Sequence, residues 1–177
     1  MSVRQIVTGN DEQGNAIFLA DHEVNPIEGA LLPGFKTFEL WSTKKNSVVP
    51  HKGGLNNVDY YFPELNGSVF RIISFPPQIS EQSPFNFSPE AVQEIQNKLP
   101  GLMEHLEPEN PGMHTTNSID YGIVLKGEIC LELDNDQERL LRAGDSVVQN
   151  GTRHAWVNKS QEPAMMAFIL IGVNREA

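Results

Sequence analysis

Apolar and polar positions alternate in short runs along most of the chain, and turn residues separate the runs. Residues 5–8 and 16–20 flank Gly9-Asn10-Asp11-Glu12-Gln13-Gly14, which predicts a hairpin with a longer loop. Residues 35–42 carry strand-forming side chains at Phe35, Thr37, Phe38 and Trp41. Residues 68–75 repeat that character and are stopped by Pro76-Pro77. The last third continues it over residues 121–125, 128–133, 139–142, 146–149, 154–157 and 164–173, with Asp134-Asn135-Asp136 as one of the turns. Many short strands at close spacing, with no internal repeat, predict an all-β sandwich or barrel.

One stretch has the other period. Ser88 suits an N-cap, Pro89 the first helical position and Glu90 the positive end of the helix dipole. Val92, Ile95 and Leu99 follow at helical spacing, and Pro100-Gly101 ends the run. The surrounding residues 76–111 are rich in Pro, Ser, Gln, Asn and Glu, as an insertion would be. Surface decoration is its expected role, with a cover over the mouth of the barrel as the alternative.

Composition narrows the classes of function. A chain of 177 residues can bury a core without disulfide or metal staples. A formal net charge of −10 disfavours a nucleic-acid surface and an anionic membrane, and is otherwise a solubility feature. The one cysteine, Cys130, excludes an internal disulfide and reads as a small buried side chain in a strand. The first residues hold no apolar run of signal-peptide length, and no window approaches a membrane span, so a cytoplasmic location is expected.

The chemistry concentrates in two segments. The first holds His114, Thr116 and Asp120 ahead of Gly127, and the second runs from Gly144-Asp145 through Gln149 and Gly151 to His154, Trp156 and Asn158. Two histidines and a carboxylate on strands that face one cavity are the ligand types a divalent metal with open positions needs. His114 and Thr116 share a face if that segment is extended, and so do His154 and Trp156. Trp156 then either walls a site for an apolar or aromatic substrate or simply fills the barrel. Gln149 and Arg153 are further candidates for polar contacts. His22, His51 and His105 read as ordinary solvated or loop histidines. No dinucleotide-binding glycine motif, phosphate loop, nucleophile elbow or Cys-x-x-Cys is present.

The two segments resemble the two motifs of the cupin superfamily. His114, Thr116, Asp120 and Gly127 fall where the first motif has His, His, Glu and Gly. Gly144, Gln149, Gly151, His154 and Asn158 fall where the second has Gly, Pro, Gly, His and Asn, with one residue fewer after Gly144. The resemblance implies a single conserved β-barrel of jelly-roll type, often dimeric, with an N-terminal β-extension and one short inserted helix. Residues 111–177 would form the barrel core and residues 1–110 the strands and helical insertion packed on it, as one structural domain. It also implies a metal site, here reduced to His114, Asp120 and His154 because threonine is a poor ligand. That is the composition of non-haem Fe(II) oxygenase centres, with Fe(II) favoured and Mn, Ni or Zn as alternatives. Thr116 would sit near an open position, and Thr116, Gln149 and Trp156 would contact substrate. The segments around Asp120-Tyr121 and His154-Ala155-Trp156 resemble small cupin oxidoreductases, dioxygenases among them, of aromatic or polyketide metabolism. The expected protein is therefore a metal-dependent cupin enzyme, an oxidoreductase first with isomerase or decarboxylase chemistry at the same site as the alternative, a homodimer by family habit, acting on a small aromatic or polyketide-like molecule. The alternative is a non-catalytic small-molecule-binding cupin with a degenerate or empty metal site.

Overall fold

The computed structural model describes residues 2–50, 58–78 and 85–176. Apart from one helix, the regular structure among the described residues is antiparallel strand. The predicted hairpin forms from β1 (Val3–Asn10) and β2 (Ala16–Val24). Its loop is held by Asp11, whose Oδ1 accepts from the backbone N–H groups of Gln13 and Asn15 at 3.0 and 2.8 Å, while Gly14 takes a φ of 86°.

A five-stranded sheet follows in the order β3-β4-β10-β5-β8. Its members are β3 (Lys36–Thr43), β4 (Ser68–Phe75), β5 (Ser118–Lys126), β8 (Ser146–Asn150) and β10 (Ala164–Gly172). A three-stranded sheet, β7-β6-β9, is made from β6 (Glu128–Glu132), β7 (Glu138–Arg142) and β9 (Ala155–Val157). Residues 1–110 thus contribute two strands to the same sheet as the later motifs, besides the hairpin laid over it. Strand β5 begins three residues before the expected 121, which brings Ser118 and Asp120 into the regular alternation.

That alternation sorts the side chains into two cores. Val69, Ile73 and Phe75 of β4, Val124 of β5, Ile129 of β6 and Met166, Phe168 and Leu170 of β10 point between the sheets. Each such side chain removed from water contributes about 1.5–3 kcal/mol of transfer free energy. The opposite face of the large sheet buries Phe38, Leu40 and Met165 against Val3 of the hairpin.

The helix α1 (Pro89–Lys98) matches its sequence signals. The Ser88 hydroxyl accepts from the Ala91 N–H, and Leu99 closes the last turn onto the Ile95 carbonyl. Surface decoration does not describe it, however. Ala91, Ile95 and Leu99 are buried, and Ile95 packs into the inter-sheet core. The amphipathic spacing that predicted the helix also supplied the face that docks it. No helix among the described residues is long and apolar enough to cross a membrane.

One glycine is set by close approach. At Gly172, where β10 ends, the backbone N–H donates to the Gly67 carbonyl and the Gly172 carbonyl accepts from Asn66. A Cβ there would collide with the Glu64 carbonyl. Gly172→Ala is expected to cost about 2 kcal/mol or more by forcing the 64–67 turn off the strand. The check is a lower urea midpoint with an unchanged slope.

Candidate functional site

The two motif histidines meet across a backbone bridge. The N–H of His114 donates to the His154 carbonyl and that of His154 to the His114 carbonyl, both at 3.0 Å. Residues paired in this way project side chains to the same side, and the two imidazole centroids lie 4.2 Å apart. Each ring is oriented by its own neighbour two residues back. His114 Nδ1 is 2.9 Å from the Gly112 carbonyl, and His154 Nδ1 is 3.0 Å from the Thr152 carbonyl. A carbonyl only accepts, so both Nδ1 atoms carry the proton and both Nε2 atoms keep a lone pair. Gly112, at a φ of 94°, gives the turn that brings its carbonyl back to the ring. Burial lowers the pKa of His114, and burial together with the neighbouring His114 holds His154 down at about 3. Both rings are therefore neutral at physiological pH.

Asp120 lies on β5, paired with Leu170 of β10 and Gln149 of β8. It is buried, and its Oδ1 has no hydrogen-bond partner. Burial pushes its carboxyl up to about 6, against the smaller opposing effects of Ser118 and Arg71. His114, Asp120, His154 and Trp156 all line one cavity of about 110 Å³. The rest of its wall is largely apolar, with Phe168 and Leu170 from β10 and Ile95, Leu102 and Leu106 from the helical segment. Trp156 meets His154 edge-on at 5.9 Å and Phe168 at 5.4 Å. The indole thus does both things its sequence position allowed: it packs in the core and walls the cavity.

Two expected substrate contacts lie elsewhere. Thr116 is buried, and its hydroxyl accepts from Ser118 Oγ at 2.9 Å, outside the set of residues that line the cavity. Gln149 faces inward, but its amide is engaged by the carbonyl and hydroxyl of Thr152. There it fixes the turn that presents His154. Arg153 grips Glu107 with two bonds of 2.7 and 2.6 Å and reaches Asp134 at 2.7 Å, stapling the segment before His114 to the barrel. His105 Nδ1 lies 3.0 Å from the Gly101 carbonyl, His22 is on β2, and His51 lies outside the described residues.

The imidazole pair suits a metal, with two neutral nitrogens of fixed tautomer. Asp120 does not join it: among the described residues no three His, Cys, Asp or Glu side chains form a group that could hold an ion.

Sequence reasoning missed three lining residues. Arg71 of β4 is 1% exposed, lies 3.1 Å from Glu39 Oε1, donates to the Tyr61 carbonyl and stacks 3.6 Å over the Tyr61 ring. Tyr61 and Phe62 complete that side of the cavity. A signal for Arg71 was present, since it shares the inward register of Val69, Ile73 and Phe75. Tyr61 and Phe62 lie in a loop with no periodicity to place them.

The Cupin_2 family, described as "Cupin domain", matches residues 102–171. Phomopsin biosynthesis cluster protein C' of Diaporthe leptostromiformis is 58% identical over 60 residues, which cover 33% of this chain and 32% of that protein. The match thus spans about a third of that relative's length. The cupin-domain-containing oxidoreductase fogC of Aspergillus ruber is 27% identical, covering 95% of this chain and 71% of its own. The cupin-domain-containing oxidoreductase srdD of Neurospora crassa is 29% identical, covering 88% and 68%. Among solved structures, the cupin domain of Schizosaccharomyces pombe Cnp3 superposes with a TM-score of 0.49 at 8% identity, covering 96% of this chain and 87% of its own. The family match spans both motif histidines, which line one cavity, and together with these relatives it supports a cupin superfamily protein.

Proposed function

We propose that this cupin is an oxidoreductase acting on a small, neutral, ring-sized molecule held in the cavity between the sheets. The observation that carries the reading is that the His114–His154 pair and Asp120 line one cavity whose other walls are mainly apolar. A pocket of that kind, apolar with a few convergent polar groups of displaced pKa, is what a small-molecule site requires. The oxidoreductase class is supported by relatives of that description at 27% and 29% identity along most of the chain.

Size and charge narrow the occupant. A cavity of about 110 Å³ is somewhat smaller than the ~150 Å³ that accepts one benzene ring, so it suits a single ring or its equivalent. Arg71 is the cation among the described lining residues, and Glu39 already neutralises it. With both imidazoles neutral, nothing at hand compensates an anionic occupant. A phenol-like or enolisable carbonyl head suits the site better than a carboxylate.

The residues then divide the work. Trp156, Phe168 and Leu170 hold the ring and keep water away. His114 and His154 present Nε2 lone pairs that accept a proton or hydrogen bond from the polar head. Asp120 exchanges a proton near neutral pH, where a carboxyl of raised pKa is effective as acid and base. A divalent ion held by the imidazole pair, Fe(II) in first place, would add Lewis-acid and redox chemistry at the occupant's oxygen.

The test joins binding, metal content and turnover with phenols of one ring. His114→Ala and His154→Ala are each expected to lower turnover about 100-fold or more. If an ion is part of the site, both variants lose it together. Tight phenol binding with neither turnover nor metal under any loading would make the protein a binding module and not an enzyme.

A further inference from the structure

Beside the cavity, and sharing one wall with it, lies a second and larger recess of about 460 Å³. Its lining is mixed where the cavity's is nearly all apolar: Phe62, Pro63 and Val69 stand beside Ser68, Tyr60, Asn117, His105 and Glu64. Its Lys44 and Asp59 neutralise each other at 3.0 Å. Phe62 lines both spaces. Its ring is held between the two histidines that mark the two sides: 4.4 Å from His105 in the recess and 6.2 Å from His114 in the cavity. Tyr61 braces it edge-on at 5.0 Å, and Arg71 lies over the other ring of that pair.

We propose that Phe62 is a specificity-determining partition: it limits the occupant to one ring and closes off a partly polar subsite that a longer molecule would use. The inference rests on the cavity being a ligand site. Phe62 is only partly buried, so its removal opens the cavity into the recess and does not leave a sealed void in the core. Interior atoms are close-packed, and one aromatic side chain is enough to separate two spaces. The joined site would be apolar at the imidazole end and hydrogen-bonding at the far end. Its chemical class of ligand is an elongated, uncharged diol, with one hydroxyl at His114 and the other among Tyr60, Asn117 and His105.

Calorimetric titration with phenol, para-phenylphenol and the symmetrical para-linked biphenol tests this. The native protein is expected to bind phenol and to discriminate against both longer probes. Phe62→Ala is expected to raise biphenol affinity relative to phenol about tenfold or more, with biphenol preferred over phenylphenol because its second hydroxyl meets the polar groups of the recess. Phe62→Trp is expected to exclude both longer probes. An unchanged ratio in a Phe62→Ala protein that melts cooperatively overturns the partition while leaving the cavity reading intact. Should that variant fail to fold, Phe62→Leu is read by the same ratio, and no gain there overturns it equally. Absence of binding by any probe to any of the proteins overturns both the partition and the ligand-site reading.

Discussion

Replacing Arg71 with methionine is expected to lower the unfolding free energy by about 3–5 kcal/mol, the range for removing one partner of a buried ion pair. Arg71 is 1% exposed, and its Nε stands 3.1 Å from a Glu39 carboxylate that is itself mostly buried. Methionine fills much the same volume but cannot neutralise Glu39, donate to the Tyr61 carbonyl or stack on the Tyr61 ring. The dominant cost is therefore the uncompensated Glu39 charge, ahead of the missing hydrogen bond and ring stacking. A second variant separates the two. Glu39→Gln in the Arg71→Met background is expected to recover a large part of the stability, because both charges are then gone. Urea unfolding of the two single variants and the double variant measures it. A decrease below about 1 kcal/mol in Arg71→Met would show that the pair is solvated and that the cavity has a usable cation after all.

The second large effect is a gain. Asp120→Asn is expected to stabilise the protein at pH 7.5 by up to about 3 kcal/mol and to change little at pH 4. The carboxyl titrates near 6 in the folded chain against 3.8 in a model environment. A raised carboxyl pKa means that the native state holds its proton more tightly than the unfolded state. Stability from this group is therefore full below about pH 4 and is lost as pH rises through 6. The histidines act in the opposite sense. His154 is held at about 3, and His114 is lowered too, so their contribution is present above about 6.5 and lost as pH falls. In the native chain these slopes partly cancel. In Asp120→Asn only the histidine slope remains, so acid should unfold the variant more steeply than the native protein. Melting temperatures from pH 4 to 8 give the comparison, and parallel profiles would refute the assignment of the buried proton to Asp120. A stabilising change at a lining carboxyl that also lowers turnover would show that Asp120 is kept for chemistry although it destabilises the fold.

What the sequence determined by itself is local or periodic. Strand alternation, the Ser88 cap, the Pro100-Gly101 stop and the spacing of His114, Asp120 and His154 were all legible, because each depends on residues close along the chain or on a two-residue period. The sequence also put His114 with Thr116 and His154 with Trp156 on shared faces, but left Asp120 just outside the expected strand 121–125. It could not say which inward side chains meet. That is decided by register between distant strands: the His114–His154 bridge unites two imidazoles, while Asp120 stands on β5 between β8 and β10 and does not group with them. Thr116 and Gln149 carry the right chemistry on the right face, yet Ser118 and Thr152 take up their polar atoms first. Arg71 and Glu39, far apart in sequence, become partners only because β3 and β4 align them directly opposite one another. Phe62 has no periodic signal at all, and its place between two spaces follows from the packing of a loop against His105 and His114. Short-range geometry is written residue by residue, whereas convergence depends on the whole sheet being assembled, and so the candidate site belongs to the tertiary structure.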